Sequence, residues 1–347
     1  MSLQKTMQAV VINSFGSPSV LSVTEIEKPV PLEGEVLIRI QAAGINRLDH
    51  YIREGNVIPE LNFPHVLGSD AVGIIEELGP GTSKWKEGDQ VIPMPGYPHH
   101  PDDKGNPILG LSNSYAIRGI MKQGTYAEYM TISEDWLIAD NTGLPPVETA
   151  SLPMPLITAV RAIKVVGAVK EGDQVLIHAG ASGTGSIMIQ VAKTLGAKVA
   201  TTIRTGEKAD FVSTLGADLI VNMADQDYVE KVHEWSEGGV NVVIDNLGGL
   251  NLSKSIECAK PLGTVVLMGN VLGLESTIPV RSLFFPQKKI IGTMMGNKED
   301  LEWGLEQVAK GRIKPTLDKT YPLHEIILAH QDLAQGKIQG NAVISMR

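Results

Sequence analysis

The stretch GDQVLIHAGASGTGSIMIQVAKTLGA (172–197) constrains the fold more than any other part of the chain. A Val/Leu/Ile run enters a turn of small residues, and apolar residues then recur at helical spacing. The same rhythm continues. KVATTIRT (198–205) reads as a strand, EKADFVSTLGA (207–217) as a helix and DLIVNM (218–223) as a strand. DQDYVEKVHEWSEG (225–238) and LNLSKSIECAKPLG (250–263) read as helices, separated by the strand VNVVIDNLG and followed by TVVLMGN (264–270). KKIIGTMMG (288–296) reads as a last strand. Buried strands alternating with helices predict a doubly wound parallel sheet covered on both faces.

The turn is built for a phosphate. Small side chains at Gly180, Ser182, Gly183, Thr184 and Gly185 let the backbone approach closely, and the next helix aims its N-terminal N–H groups at an anion. In the G-x-G-x-x-G register the middle glycine is Ser182, with Gly183 beside it, and a motif of this kind standing alone is weak evidence. The competing reading is a glycine turn with no cofactor, and the run of at least four strand–helix units argues against it. A chain that binds NAD would carry an acid after the second strand for the ribose 2′-hydroxyl. Here TTIRT (201–205) ends in Arg204 and Thr205 with Lys208 beyond, which favours a 2′-phosphate and hence NADP. Glu207 is expected to face solvent.

Upstream, short Val/Ile-rich runs between Gly, Pro and Asp clusters predict a barrel-like β body over residues 1–154. Within it, residues 93–124 form a polar, Pro/Gly-rich excursion expected to lack regular structure. Residues 155–296 form the dinucleotide-binding domain, entered through the helical run PPVETASLPMPLITAVRAIKVV, and 297–347 return to the first body. A net charge of −9 without a Lys/Arg block disfavours a nucleic-acid partner. Cys258 is the one cysteine, so no intramolecular disulfide or cysteine zinc cluster can form. No signal-peptide core and no apolar run of membrane length appears, and a cytoplasmic protein is expected. His99, His100, Asp102 and Asp103 stand close together, but without ligand spacing they read as loop residues rather than a metal site.

Taken together, GINRLDHYIREG (44–55), GSDAVGIIEELGPGTSKWKEGDQVI (68–92), GTYAEY (124–129) and the ending LAQGKIQGNAVISM resemble the medium-chain dehydrogenase/reductase superfamily. NRLDHYIREG is most similar to its quinone-oxidoreductase branch, which lacks zinc. The resemblance implies a GroES-like β-barrel domain, a Rossmann domain, an active site in the cleft between them and a homodimer. Zinc alcohol dehydrogenases carry a cysteine where this chain has Asn46 and a histidine where it has Ser69, and the excursion lacks the four cysteines of a structural zinc. No metal is therefore expected. Without a Lewis acid, acceptors that delocalise charge remain accessible: quinones and α,β-unsaturated carbonyls. The donors expected near such an acceptor are Asn46, Tyr51 and Arg53, with Asp49 holding a turn. By family position, Thr158, Asn246, Gly269, Asn270, Val271, Phe285 and Asn341 are expected at the cofactor. Two alternatives remain open: an enoyl-thioester reductase, whose catalytic tyrosine would align near Val57, and an NADPH-binding protein with little turnover.

Overall fold

The structure is a computed structural model that describes residues 5–58, 60–103 and 105–346. Residues 1–4, on which part of the leader expectation rests, lie outside the described residues. The chain packs as two compact units. The first takes the chain up to Met154 together with Asn297–Ala309 and the segment from Pro315 on; the second takes Pro155–Gly296 and Lys310–Lys314. The short segment 310–314 thus departs from an undivided C-terminal return. The backbone of Lys314 explains it, because its N–H and C=O are both held by the Gln190 amide, at 2.8 and 3.0 Å.

The first unit is built on the strand Glu35–Ile45, which pairs antiparallel with Val72–Leu78, Tyr129–Ser133 and Asn341–Ser345. Its burial pattern is almost continuous, as expected for a central strand. The C-terminal strand Asn341–Ser345 adds to the same sheet and carries Leu317–Pro322 parallel to it. A second, three-stranded sheet is ordered Ser22–Glu27, Thr6–Ile12, His65–Val66.

The excursion is not structureless. Gly96–Pro98 and Tyr115–Ile117 form an antiparallel ribbon. Arg118, 8% exposed, fastens it by donating to the Tyr97 hydroxyl, the Gln123 carbonyl and the Thr131 carbonyl. The Tyr97 hydroxyl of the ribbon, the Gln123 carbonyl beyond it and the Thr131 carbonyl of the neighbouring strand take its Nη1 and Nη2 donors, while Nε is left without a partner among the described residues. The signal was hidden because an arginine in a polar loop reads as solvated.

The second unit is a six-stranded parallel sheet in the order Leu219–Asn222, Lys198–Ile203, Gln174–Ile177, Val240–Asp245, Ala259–Leu267, Lys289–Gly292. Numbered along this unit the order is 3-2-1-4-5-6, the doubly wound arrangement expected from the sequence. The switch point lies between Gln174–Ile177 and Val240–Asp245. Two local readings change. The helix starting at Asn251 stops at Cys258, and AKPLG opens the next strand, because Pro261 cannot continue a helix and Leu262 takes a left-handed φ of 64°. The helical run before the sheet divides into Pro146–Thr149 and Pro153–Val160, followed by a π-helical segment Arg161–Val166. Pro153 and Pro155 have no N–H to carry a single helix through.

Candidate active site

In the second unit, the strand Gln174–Ile177 ends at His178 and the chain turns through Ala179, whose φ of 54° is left-handed. Gly180 then passes so close to the neighbouring strand that a Cβ there would lie 2.2 Å from Thr201 Oγ1. Gly185 is as tight, with 2.3 Å from a Cβ to the Ala179 carbonyl. Ser182 is the cap of the helix Gly183–Thr194, its Oγ accepting the Gly185 N–H at 3.1 Å. The serine at the middle motif position therefore also caps the helix. These residues make a cradle that only small side chains allow, at the N-terminus of a three-turn helix.

Beneath the cradle lies a polar network that sequence reasoning missed. Asp245, fully buried, accepts the Leu247 and Gly248 N–H groups, each at 2.9 Å, and the Ser255 hydroxyl at 2.8 Å. The single hydroxyl proton of Ser255 is thereby used. His178 consequently donates through Nε2 to Ser255 Oγ at 3.0 Å and accepts at Nδ1 from Thr202 Oγ1 at 3.1 Å. Burial lowers the His178 pKa to about 4, so the ring is neutral. The network ties the ends of strands 1, 2 and 4 together at the switch point. Asn246 joins it, donating Nδ2 to the His178 carbonyl at 3.0 Å. Its Oδ1 is buried and has no partner among the described residues. Gly269 packs on the Asn246 carbonyl, with 2.3 Å from a Cβ to that oxygen. An orphaned acceptor beside a cradle of glycines fits a dinucleotide.

Other residues expected at the cofactor are distributed as follows. Thr158 is half-buried on the helix Pro153–Val160. Arg204 and Thr205 are exposed just past the strand Lys198–Ile203, with Glu207 also exposed and Lys208 half-buried. Asn270 and Val271 are exposed beyond the strand Ala259–Leu267. Phe285 is 70% exposed, and neither it nor Phe284 is core. Asn341 does not fit its expected role. It belongs to the first unit, is 5% exposed, and its amide donates to Thr316 Oγ1 at 3.0 Å. It opens the strand Asn341–Ser345 and presents nothing outward.

In the first unit, Asn46 caps the helix Arg47–Arg53 at the end of the central strand. Its backbone N–H donates to Asp49 Oδ2 at 2.7 Å, and its side-chain Nδ2 donates to Asp70 Oδ2 at 2.9 Å. Asp49 also accepts the Tyr126 hydroxyl at 2.7 Å, which agrees with a turn-holding acid. Burial raises the Asp49 pKa to about 6 and that of Asp70 to about 7. Tyr51 is half-buried one turn along, its ring tilted against His50. Arg53 is the correction: it is 0% exposed, with its guanidinium turned inward onto the Gly16 carbonyl, His50 Nδ1 at 2.8 Å and His330 Nδ1 at 3.4 Å. A side chain so enclosed cannot reach a substrate, and it braces the helix instead. Asp70 and Tyr126 carried no role in the sequence reading. The one clue to Asp70 was an acid set among small apolar residues in GSDAVG.

The comparisons agree with this geometry. Residues 32–142 match the alcohol dehydrogenase GroES-like domain, and 183–310 match the family described as zinc-binding dehydrogenase. The human quinone oxidoreductase is 30% identical over 344 residues, covering 96% of this chain and 95% of that protein. The chain belongs to the medium-chain dehydrogenase/reductase superfamily, in its quinone-oxidoreductase-like branch. An alcohol dehydrogenase of Geobacillus stearothermophilus is 31% identical over 347 residues, covering 98% of this chain and 100% of its own. A solved NAD-dependent alcohol dehydrogenase superposes with a TM-score of 0.93 at 32% identity, over 98% of this chain and 100% of that one. This dehydrogenase/reductase thus has the GroES-like and Rossmann domains expected of it, and its fold is that of an NAD(P)-dependent oxidoreductase.

The zinc in the family description does not suit the residues present. Ser69 is buried and spends its hydroxyl on the Arg118 carbonyl at 2.9 Å. Asn46 offers an amide already tied to Asp70, and neither side chain is a zinc ligand type. Among the described residues no group of three or more His, Cys, Asp or Glu is placed to hold a metal ion. At the His99–Asp103 stretch, Asp103 accepts from the Ser114 backbone and hydroxyl, as a loop-fixing residue does.

Among the described residues no helix is long and apolar enough to cross a membrane.

Proposed function

We propose that this protein is an NADPH-dependent, zinc-independent reductase of quinones or α,β-unsaturated carbonyl compounds. The observation that carries the proposal is the pair Asn46 and Ser69. Positions that bear metal ligands in zinc dehydrogenases here bear an oriented amide and a hydroxyl turned onto a carbonyl. Bound NADPH supplies a hydride. The chain supplies the cradle Gly180–Gly185 for the pyrophosphate, Arg204 with Thr205 and Lys208 for the 2′-phosphate, Asn246 on the adenosine side and Gly269–Val271 for the nicotinamide half. Thr158 belongs to the same set. Asn46 donates to the oxygen on which charge develops, a role worth most when the donor is fixed before reaction. Tyr51 delivers a proton or holds the carbonyl.

The test is oxidation of NADPH and of NADH by metal-free enzyme against a panel of quinones, enones, enoyl thioesters and simple aldehydes. Turnover of quinones or enones with NADPH supports the reading. Zinc-dependent turnover of simple alcohols overturns it. The likeness to an NAD-dependent alcohol dehydrogenase favours a second reading in which NADH is the donor. Arg204 argues against it, and the NADH arm decides.

A homodimer is part of the same proposal. The strand Lys289–Gly292 is the outer edge of the parallel sheet, and the helix before it exposes Val280, Phe284 and Phe285 at 69%, 62% and 70%. An open edge flanked by apolar side chains is a surface that a soluble chain covers. Light scattering on the full chain, beside Phe285→Glu, checks it, the variant shifting toward monomer.

A further inference from the structure

Asn46 is useful to the reaction proposed above only if its amide has one orientation. A free asparagine amide can turn over about its terminal torsion, exchanging N–H for a lone pair at almost the same position. A lone pair aimed at a developing oxyanion would repel it. The residue that removes this freedom is Asp70, which is 1% exposed. Its Oδ1 accepts the Met154 backbone N–H at 2.8 Å, so the carboxylate is anchored by main chain and not by another mobile side chain. The Asp70 backbone is held as firmly, its carbonyl accepting the Thr125 hydroxyl at 2.8 Å and the Gly44 N–H at 3.2 Å. Gly44 is required for this approach, since a Cβ there would lie 2.9 Å from the Asp70 Cβ and 2.5 Å from the Ala150 carbonyl. The remaining oxygen, Oδ2, receives Asn46 Nδ2.

We propose that Asp70 is a positioning residue for the reduction: its main-chain-anchored carboxylate takes one Asn46 Nδ2–H and forbids the flipped amide, leaving the second N–H for the acceptor oxygen. With Asp70 ionised, the flipped amide would set its carbonyl oxygen against a carboxylate oxygen. Because burial raises the Asp70 pKa to about 7, kcat is read at about pH 8 and above, where the acid carries its charge. Asp70 touches neither acceptor nor cofactor in this account and acts entirely through Asn46. This inference rests on the proposed reductase reading and deepens it.

The experiment is a double-mutant cycle on the full chain, with Asp70→Asn, Asn46→Ala and the double variant. An Asn at 70 keeps the shape but places an N–H where Oδ2 was, which favours the flipped Asn46. Asp70→Asn is expected to lower kcat about ten-fold or more, as loss of an oxyanion donor does, with NADPH affinity within about two-fold of wild type. Its effect is expected to vanish in the Asn46→Ala background, because two residues acting as one donor do not add. Asp70→Glu, which keeps the charge but displaces it by a methylene, gives the same non-additive result if Asp70→Asn folds poorly. A purely structural role would instead give equal losses in both backgrounds, and that outcome overturns the inference. So does a kcat that falls with Asn46→Ala but not with either Asp70 variant. If Asn46→Ala leaves kcat unchanged on an acceptor that is turned over, the positioning claim falls while the reductase reading stands. If no acceptor in the panel consumes NADPH, the reading itself fails and takes this inference with it.

Discussion

Ser182 Oγ accepts the Gly185 N–H at 3.1 Å, so the residue at the middle of the phosphate turn is also the cap of its helix. Ser182→Ala leaves that N–H without its side-chain acceptor and is expected to cost about 1 kcal/mol of stability. Ser182→Gly restores the motif glycine and should cost only a few tenths. Thermal unfolding ranks the three proteins. NADPH titration by fluorescence is expected to show the alanine variant weakened more than the glycine variant, because a frayed helix start no longer aims its N–H groups.

Arg204 stands exposed at the end of the second Rossmann strand, with no acid in the place where a ribose diol would need one. Arg204→Ala should raise the KM for NADPH roughly 10- to 100-fold, the value of a charge-assisted hydrogen bond. The KM for NADH should stay within about two-fold, since that cofactor offers no 2′-phosphate to lose. Steady-state kinetics with both cofactors reads the difference. Equal losses for both would place Arg204 outside the adenosine site.

The parallel sheet was legible because its information is local and repetitive. Each apolar run and each glycine turn reports its own element, and right-handed crossovers make the sheet doubly wound, while the particular order 3-2-1-4-5-6 comes from the structure. The tight glycine turn at Gly180–Gly185 was legible for the same reason. The acceptor side was not. Asp70 reaches Asn46 across 24 positions of sequence and Arg53 reaches His330 across 277. Nothing at position 53 says whether an arginine points to solvent or into the fold, because its partners are backbone carbonyls and histidines brought up by other elements. The polar loop 93–124 misled likewise, since the Tyr97–Arg118 bond that orders it joins residues whose types are ordinary for loops.

Stability should depend on pH through two sets of buried groups with opposite slopes. Burial raises Asp49 to about 6 and Asp70 to about 7 from ordinary values near 4, so both fold most easily as neutral acids. Their contribution is present in full below pH ~4 and is lost as pH rises through their folded pKa values. His178 and His330 are lowered by burial to about 4 and about 3, so their contribution is present above pH ~6.5 and is lost as pH falls through those values. Asp70→Asn removes one group from the first set. The melting temperature of Asp70→Asn relative to wild type is therefore expected to climb between pH 5 and pH 8, roughly in step with a cost of order 3 kcal/mol for ionising a buried acid. A pH-independent difference would mean that Asp70 is ionised throughout.

Arg53 separates bracing from chemistry. Its enclosed guanidinium bonds to the Gly16 carbonyl, His50 and His330, and it pairs with the Glu54 carboxylate at 3.3 Å. Arg53→Met keeps the apolar stem but leaves the Gly16 carbonyl and His330 Nδ1 without their donor. Orphaning the buried His330 Nδ1 costs about 1–3 kcal/mol and the half-buried Gly16 carbonyl adds less, so the loss should be on the order of 2–3 kcal/mol. Arg53→Lys should recover part of it, because one ammonium reaches fewer of these partners than a planar fork. Denaturant unfolding gives the ranking wild type, lysine, methionine. Turnover per folded molecule, measured below each variant's melting temperature, should stay within about three-fold of wild type, since the side chain meets no substrate. A hundred-fold loss of kcat in a fully folded Arg53→Lys would return this residue to the catalytic set, and with it the assumption that the helix Arg47–Arg53 keeps its inner face closed during turnover.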